Sequence, residues 1–295
     1  MPRGVIIKAL SGFYYVRTED DETVECRARG RFRLDGSSPL VGDRVEISMD
    51  AQGRGRVDSI EPRRNFFVRP AVANIDVLVS VASEVEPITD PFLIDRVTSV
   101  AEHNGCESVI CINKSDATDS HRLRDIYAAT PYTVIETSAV TGEGLDELRE
   151  SIKGKVCAFS GNSGVGKSSI LNALEPSLWL KTGEVSEKLG RGRHTTRHVE
   201  IFPVAGGWCA DTPGFASFDM EQMLPIPKGE LQYTFPEFAP YIGRCRFDDC
   251  AHMKEPGCAV REAVEAGKIS RSRYESYMKL YEISAKYKEW ELNKQ

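Results

Sequence analysis

No apolar run in this 295-residue sequence approaches the roughly 20 residues that a membrane-spanning helix needs. A secretory signal peptide is also missing, because Met1-Pro-Arg-Gly-Val5 leads directly into strand-like sequence. From these two absences we expect a cytoplasmic protein that has no membrane partner.

The sequence also lacks an excess of positive charge. Its 38 Lys and Arg residues stand against 44 Asp and Glu, and the net charge of −6 argues against a protein that coats nucleic acid generally. Local basic faces remain compatible with that total, because binding responds to patches as well as to net charge. The 41% hydrophobic and 28% charged residues are typical of a soluble globular protein, and the length allows more than one domain.

The eight cysteines are not expected to form a disulfide framework, because cytosolic thiols stay reduced. Five of them are scattered, and we interpret these as small buried side chains. The other three lie close to a histidine in the pattern C-x4-C-x-H-x5-C, and three thiolates with one imidazole fill a closed structural zinc site. The sequence therefore predicts one Zn²⁺ bound by Cys245, Cys250, His252 and Cys258.

The first 65 residues contain short stretches of strand-forming residues between turn signals. Gly12–Val16, Thr23–Ala28 and Asp43–Ile47 alternate or are rich in β-formers, and glycines at positions 30, 36, 42 and 53 mark turns. This spacing predicts a small five-stranded β-barrel of the OB-fold type, although the periodicity also fits an SH3-like barrel.

Four arginines occupy every second position of the same region, at Arg27, Arg29, Arg31 and Arg33. On an extended strand all four would point to one face, where a phosphate backbone is the obvious counter-anion. We interpret the stripe as an RNA-binding face. The alternative is a solvated strand surface.

From about residue 70 to 220 the pattern changes to alternating strands and helices. Apolar runs such as Ile75–Val81 and Val109–Ile112 predict buried parallel strands. Helical spacing recurs over Pro91–His103, Leu123–Ala129, Leu145–Ile152 and Ser168–Leu174. The alternation predicts a doubly wound α/β sheet, which binds ligands at the C-terminal ends of its strands.

A phosphate-binding loop of the form G-x-x-x-x-G-K-[ST] occupies Gly161–Ser168. Its glycines let backbone N–H groups surround a phosphate in front of a helix N-terminus. Lys167 is expected to contact the β- and γ-phosphates, and the Ser168 hydroxyl is expected to bind Mg²⁺. The motif alone does not distinguish ATP from GTP.

Asn113-Lys-Ser-Asp116, at the end of an apolar strand, favours GTP. The ionised Asp116 carboxylate can accept two parallel hydrogen bonds from guanine N1–H and N2–H₂, a donor pair that adenine lacks. Asn113 and Lys114 are expected to hold the base plane and the phosphate loop. Ser138-Ala139 is the short segment that normally follows such a base reader.

The order of these motifs is rotated relative to a Ras-like GTPase. Asn113–Asp116 and Ser138-Ala139 precede the phosphate loop, and only Asp211-Thr-Pro-Gly214 follows it. The sequence therefore predicts a circularly permuted P-loop GTPase. Asp211 is expected to reach Mg²⁺ through water, and the Gly214 amide to contact the γ-phosphate.

Ras-like enzymes place a glutamine shortly after D-x-x-G to orient the attacking water, and this chain has Phe215 there instead. Another donor must act, or hydrolysis must wait for a partner. We take His194 as the candidate catalytic residue, because a neutral imidazole can orient or deprotonate water. The alternative is that His194 contacts RNA or nothing.

The predicted nucleotide-binding residues are Asn113, Lys114, Ser115, Asp116, Ser138, Ala139, Gly161, Asn162, Ser163, Gly164, Val165, Gly166, Lys167, Ser168, Ser169, Thr195, Thr196, Asp211 and Gly214.

The N-terminal barrel, the permuted motif order and the trailing cysteine–histidine set together resemble the bacterial small-ribosomal-subunit-dependent GTPase A family. The stretch Arg191–Thr196 resembles its first switch, in which Thr195 or Thr196 closes over Mg²⁺. The resemblance spans essentially the whole chain. It implies GTP hydrolysis that the 30S subunit stimulates during its late maturation, with 16S rRNA as a partner.

We expect three domains: an OB-fold RNA-binding domain over residues 1–65, a circularly permuted GTPase domain over 66–220 and a zinc-binding domain with a C-terminal helix over 221–295. We also expect a monomer. Because the second switch begins at Asp211 and runs into the zinc domain, a γ-phosphate-dependent change could reposition that domain against RNA. Two other functions stay open, an RNA-binding assembly chaperone with GTP as a latch and a signalling GTPase with a protein partner.

Overall fold

The computed structural model describes residues 1–30, 32, 38–50, 53–68, 71–178, 199–211 and 226–287. Of Asp211 only the backbone is described. The stripe residues Arg31 and Arg33, the predicted site residues His194, Thr195, Thr196 and Gly214, and also Gly36, Arg191 and Phe215 lie outside this part of the chain. Among the described helices, none combines the length and the apolar character required to cross a membrane.

The first five strands close into the predicted barrel. They are β1 (Arg3–Leu10), β2 (Phe13–Thr18), β3 (Thr23–Ala28), β4 (Arg44–Met49) and β5 (Gly55–Ile60). Their order is β1-β2-β3-β5-β4, and β4 pairs back onto β1. Strands β3 and β5 are parallel, whereas the other barrel pairs are antiparallel. This closed Greek-key arrangement is that of an OB-fold.

The predicted arginine stripe does not continue along one strand. Strand β3 ends at Ala28, so only Arg27 of the four arginines belongs to it, and its guanidinium stacks on the Phe13 ring at 4.6 Å. Arg29 instead pairs with the buried carboxylate of Asp58, at 2.5 Å between Nη2 and Oδ1. The single-strand geometry predicted for the stripe is therefore wrong, whereas contact of these arginines with RNA stays a prediction.

The second part of the chain forms the predicted α/β sheet. A separate hairpin of β6 (Phe66–Val68) and β7 (Ala71–Ala73) joins the sheet to the barrel. The sheet strands are β8 (Val77–Ser83), β9 (Glu107–Asn113), β10 (Thr133–Thr137), β11 (Val156–Ser160), β12 (Val199–Val204) and β13 (Gly207–Asp211). They run in the order β10-β9-β8-β11-β13-β12, and within this order β12 alone is antiparallel to its neighbour.

Helices cover both faces of this sheet, as the sequence predicts. They are α1 (Pro91–His103), α2 (Arg122–Tyr127), α3 (Leu145–Ile152) and α4 (Lys167–Leu174). Alternate residues of β8 point to opposite faces. Val77, Val79 and Val81 pack with α3 and α4, whereas Leu78 and Ala82 pack with α1 and α2.

Barrel and sheet are joined by a strand pairing that the sequence does not reveal. Strand β1 lies antiparallel to β12, with Lys8 opposite Glu200 and Ala9 opposite Val199. The Lys8 ammonium also lies 3.2 Å from the Glu200 carboxylate. One 11-stranded sheet therefore runs through both parts, and a single apolar core continues from the barrel to α1.

The described C-terminal part consists of short turns and two helices, α5 (Ala259–Glu265) and α6 (Arg271–Ser284). Tyr274 and Tyr277 of α6 belong to the apolar core of this part. The Tyr274 hydroxyl donates to the His252 carbonyl at 2.7 Å, and the Tyr277 hydroxyl donates to the Ala251 carbonyl at 2.8 Å. Helix α6 thus holds the backbone of the segment that carries the predicted metal ligands.

A buried ion cluster fastens α6 to α1. Arg273 donates to Asp95 Oδ1 at 2.8 Å and to the two Glu237 carboxylate oxygens at 2.8 and 3.1 Å, and the Tyr127 hydroxyl donates to the same Asp95 oxygen at 2.7 Å. The side chains of Arg273 and Asp95 are 0% exposed. Burial disfavours the charged guanidinium, but the two carboxylates outweigh it and raise the pKa of Arg273 well above its usual value. The cluster thus unites the α/β and C-terminal parts.

Candidate functional site

The predicted nucleotide motifs meet at one edge of the sheet. Strands β8, β9, β10, β11 and β13 run parallel, so their C-terminal ends share that edge. Asn113 and Asp211 are the last residues of β9 and β13, Ser138 directly follows β10, and Gly161 directly follows β11. Chain order is rotated, but the fold brings the motifs together where parallel sheets bind ligands.

The side chain of Asn113 connects three of these motifs. Its Nδ2 donates to the Val165 carbonyl in the phosphate loop at 2.8 Å. Its Oδ1 accepts from the Ala139 amide at 3.2 Å and from the Thr137 hydroxyl at 3.4 Å. Asn113 is 3% exposed, so these bonds are shielded from water. A single buried amide therefore fixes the base-reading segment against the phosphate loop.

The phosphate loop has the backbone that its glycines predict. Gly161 and Gly166 have φ angles of 144° and 100°, which other residues rarely adopt. A Cβ atom would collide with the Val81 carbonyl at Gly161 and with the Asn113 amide at Gly166. Because α4 begins directly after Gly166, the loop leads into a helix N-terminus, as in a phosphate-binding site.

Lys167 lies across the mouth of this loop. Its ammonium donates to the Gly161 carbonyl at 2.5 Å and to the Asn162 carbonyl at 2.7 Å. Burial lowers the pKa of Lys167 to about 8. Since two carbonyls compensate a buried ammonium less well than phosphate oxygens do, this cation is positioned to bind an anion.

Lys114 has a different contact from the one expected. It has a φ of 70°, and its ammonium donates to the Glu86 carbonyl at 2.7 Å rather than to the phosphate loop. Glu86 belongs to the segment after β8, and in that segment Pro87 lies where a Cβ at Gly164 would contact it. Lys114 therefore supports the phosphate loop through this segment, which matches no sequence motif and so was not predicted.

The base-reading residues lie on the two segments that follow β9 and β10. Asp116 lies in a short 3-10 turn, Ser115–Ala117, and its side chain is exposed. The Ser115 hydroxyl lies 3.4 Å from the Glu143 carboxylate. The Ser138 hydroxyl accepts from the Thr141 amide at 3.0 Å, which fixes the segment that presents the Ala139 amide. The Asp116 carboxylate, three residues after the buried Asn113, is thus exposed and available to accept hydrogen bonds from a guanine.

The four predicted metal ligands come together near the C-terminus. Their ligand atoms all lie within 4.8 Å of one another. His252 Nδ1 is 3.4 Å from Cys258 Sγ and 3.6 Å from Cys245 Sγ, and the two sulfurs are 3.9 Å apart. A tetrahedron with Zn–S bonds of about 2.3 Å and Zn–N bonds of about 2.0 Å has S···S edges of about 3.8 Å and S···N edges of about 3.5 Å. The set therefore fits a structural Zn²⁺.

Two family models match the chain. One, described as the RsgA GTPase, matches residues 60–221, and the other, described as the RsgA N-terminal domain, matches residues 3–57. A protein of Caldanaerobacter subterraneus subsp. tengcongensis named small ribosomal subunit biogenesis GTPase RsgA is 47% identical over 94% of this chain and 94% of its own length. A protein of the same name from Geobacillus kaustophilus is 48% identical over 94% of this chain and 96% of its own.

Solved structures share the fold along nearly the whole chain. The crystal structure of YjeQ from Thermotoga maritima has a TM-score of 0.83 and 37% identity, and it covers 97% of this chain and 99% of that one. The structure of YloQ, described as a circularly permuted GTPase, has a TM-score of 0.79 and 37% identity over 98% and 96% of the two chains. The permuted order deduced from the motifs is therefore confirmed at the level of the fold.

Proposed function

The chain belongs to the RsgA GTPase family, and on that premise we propose that it hydrolyses GTP in the biogenesis of the small ribosomal subunit. Relatives that match over most of the chain are named for that process. The observation that carries the proposal is the buried Asn113 amide, which ties the base-reading segment to the phosphate loop. This contact makes one nucleotide site from motifs that lie apart in the chain.

Asp116 reads the guanine, with Ser115, Ser138 and Ala139 around the base. The phosphate loop and the following Ser169 hold the phosphates. Bound Mg²⁺ would neutralise the negative charge that develops on the phosphates during hydrolysis. The residues proposed to hold it are Ser168, Thr195 or Thr196 and, through water, Asp211, while the Gly214 amide contacts the γ-phosphate.

We further propose that 16S rRNA within the 30S subunit is the partner and that the subunit stimulates hydrolysis. The protein then works as a cytoplasmic monomer without a membrane partner. We retain the division into residues 1–65, 66–220 and 221–295 as its working units. The barrel face that carries Arg27, stacked on Phe13, supports contact with RNA, because cation and ring lie together there.

The decisive experiment compares GTP turnover of the full chain alone, with purified 30S subunits and with purified 50S subunits. We expect strong stimulation by 30S subunits only. A Lys167→Ala variant is the control for contaminating GTPases, and it should lose turnover in all three mixtures. Equal rates with both subunits would favour the chaperone with GTP as a latch, and stimulation by a protein fraction without ribosomes would favour a signalling GTPase.

Asp116→Asn is expected to weaken GTP binding by roughly 10²-fold, because an amide N–H₂ then faces the guanine N2–H₂ donor without an acceptor. Xanthosine triphosphate should gain relative affinity, since xanthine carries an acceptor carbonyl at that position. Titrations with both nucleotides measure the switch. Asp119→Asn, at an exposed carboxylate on the same segment, is the matched control and should leave both affinities unchanged. Unaltered GTP affinity in Asp116→Asn would remove this residue as the base reader.

GTP affinity is expected to fall above about pH 8, because Lys167 has a pKa of about 8 before phosphate binds. Below that pH the ammonium is already present. Above it, GTP binding must take up a proton, so the affinity for GTP falls by a factor that approaches ten per pH unit. Calorimetric titrations in two buffers of different ionisation enthalpy measure the proton uptake. Lys167→Arg keeps its charge at every accessible pH and should lose this dependence. Identical pH profiles for parent and variant would contradict the assignment.

A further inference from the structure

The two ring nitrogens of His252 face different partners. Nδ1 points to the thiol cluster, at 3.4 Å from Cys258 Sγ and 3.6 Å from Cys245 Sγ. Nε2 points away from it and lies 2.9 Å from the Oε1 atom of Gln232. Gln232 is not a metal ligand and belongs to no sequence motif, but it contacts the His252 ring nitrogen that faces away from the cysteines.

We propose that Gln232 is the positioning residue of this metal centre, which selects the tautomer of His252 and thereby sets the affinity for Zn²⁺. A carboxamide oxygen can only accept a hydrogen bond, so the proton of the neutral ring must sit on Nε2. The lone pair of Nδ1 is then directed at the thiolates, which is the arrangement that a zinc ligand needs.

In the described part of the chain, Gln232 is the one hydrogen-bond partner of His252 Nε2. His252 is 2% exposed, so bulk water has little access to Nε2. Its nearest ring neighbours are Phe238 and Tyr277, with centroids at 6.2 and 6.3 Å, and both present aromatic carbon rather than a carbonyl. Without Gln232 a buried N–H would lack its acceptor, which disfavours the tautomer that binds metal.

Gln232 is itself held by a well-anchored turn. It lies in the 3-10 turn Leu231–Thr234, where Leu231 is 1% exposed and the Thr234 hydroxyl donates to the Leu231 carbonyl at 2.9 Å. The neighbouring Glu230 carboxylate lies 3.5 Å from the ring of His103 at the end of α1. Through Gln232, the metal ligand is therefore oriented by an element that packs against the α/β part of the molecule.

The test uses the full-length protein loaded with Zn²⁺ and a chromophoric chelator as competitor. Gln232→Leu removes the acceptor at similar volume and should weaken zinc binding roughly 10–100-fold, as loss of an outer hydrogen-bond partner commonly does. Gln232→Glu keeps an acceptor in place and should retain parental affinity or exceed it. Tyr233→Ala, at an exposed neighbour on the same turn, is the matched control and should bind zinc like the parent.

A second readout reports the tautomer directly. In the zinc-loaded parent, nitrogen–proton correlation spectra of the histidine ring should show a slowly exchanging proton on Nε2 of His252, and in Gln232→Leu that proton should exchange faster. Equal zinc affinity in Gln232→Leu and the parent would overturn the proposal. So would equal weakening in the Leu and Glu variants, or a proton on Nδ1 in the parent, and this last result does not depend on whether the Leu variant folds.

Discussion

Arg273→Leu is expected to weaken the docking of α6 on α1 by about 3–5 kcal/mol, because it leaves buried carboxylates without their cation. Asp95 would keep only hydroxyl partners, Tyr127 and Ser276, and Glu237 would lose both bonds from the guanidinium. Leucine fills part of the space of the arginine side chain, so the lost stability comes from unpaired buried carboxylates more than from a cavity. This is among the largest stability effects that a single substitution in the described part of the chain can have.

Hydrogen exchange is the suitable measurement, since a protein with several parts need not unfold in one step. Amides of α6 should exchange much faster in Arg273→Leu, while those of the barrel strands stay protected. Arg271→Leu, at an exposed position on the same helix, is the control and should change stability by no more than about 0.5 kcal/mol. Parental protection of α6 in the variant would mean that the aromatic contacts alone hold the helix.

This buried cluster restricts how a nucleotide signal can reach the metal-binding part. The sequence order suggests that a change at the second switch, which begins at Asp211, repositions the zinc domain. The described C-terminal part is fastened to α1 through Arg273 and Asp95, so it cannot move alone without exposing buried charges. Any such movement must therefore carry α1 along, or break the cluster at the cost given above.

Sequence patterns predicted most helices and strands of the α/β part, because interactions between neighbouring residues determine where these elements begin and end. Helix α1 forms over Pro91–His103 as predicted, with Asp90 accepting from the Phe92 amide at 3.0 Å as its N-cap. The motif loops lie at the ends of their strands, since their glycines permit backbone angles and approaches that other residues would block. Such features depend on a few neighbouring residues and are visible in the sequence.

Each contact that the sequence could not reveal joins segments that lie far apart along the chain. The β1–β12 pairing, the Arg273 cluster and the Gln232–His252 hydrogen bond depend on how finished elements pack. Alternation alone also misled beyond Arg27, because strand β3 ends at Ala28 and Arg29 pairs with Asp58 from β5. Period-two spacing shows which residues share a face only for as long as the strand continues.

His194→Ala is expected to slow 30S-stimulated GTP turnover by about 10²–10⁴-fold, the usual cost of losing a general base or water-positioning group. The reason lies in the sequence, because Phe215 occupies the region where Ras-like enzymes have their water-orienting glutamine. His194 belongs to the segment that resembles the first switch and lies outside the described residues. Its role in hydrolysis is therefore a proposal made on chemistry and chain position.

Single-turnover hydrolysis with saturating 30S subunits isolates the chemical step from nucleotide exchange. GTP affinity should change little in His194→Ala, since the base and phosphate contacts are assigned to other residues. His198→Ala, four positions further along the same segment, is the matched control and should keep the parental rate. If His194→Ala hydrolyses GTP as fast as the parent, the water must be oriented by ribosomal RNA or by a neighbouring arginine such as Arg191 or Arg193. Completion of the catalytic site would then be the step that the subunit supplies.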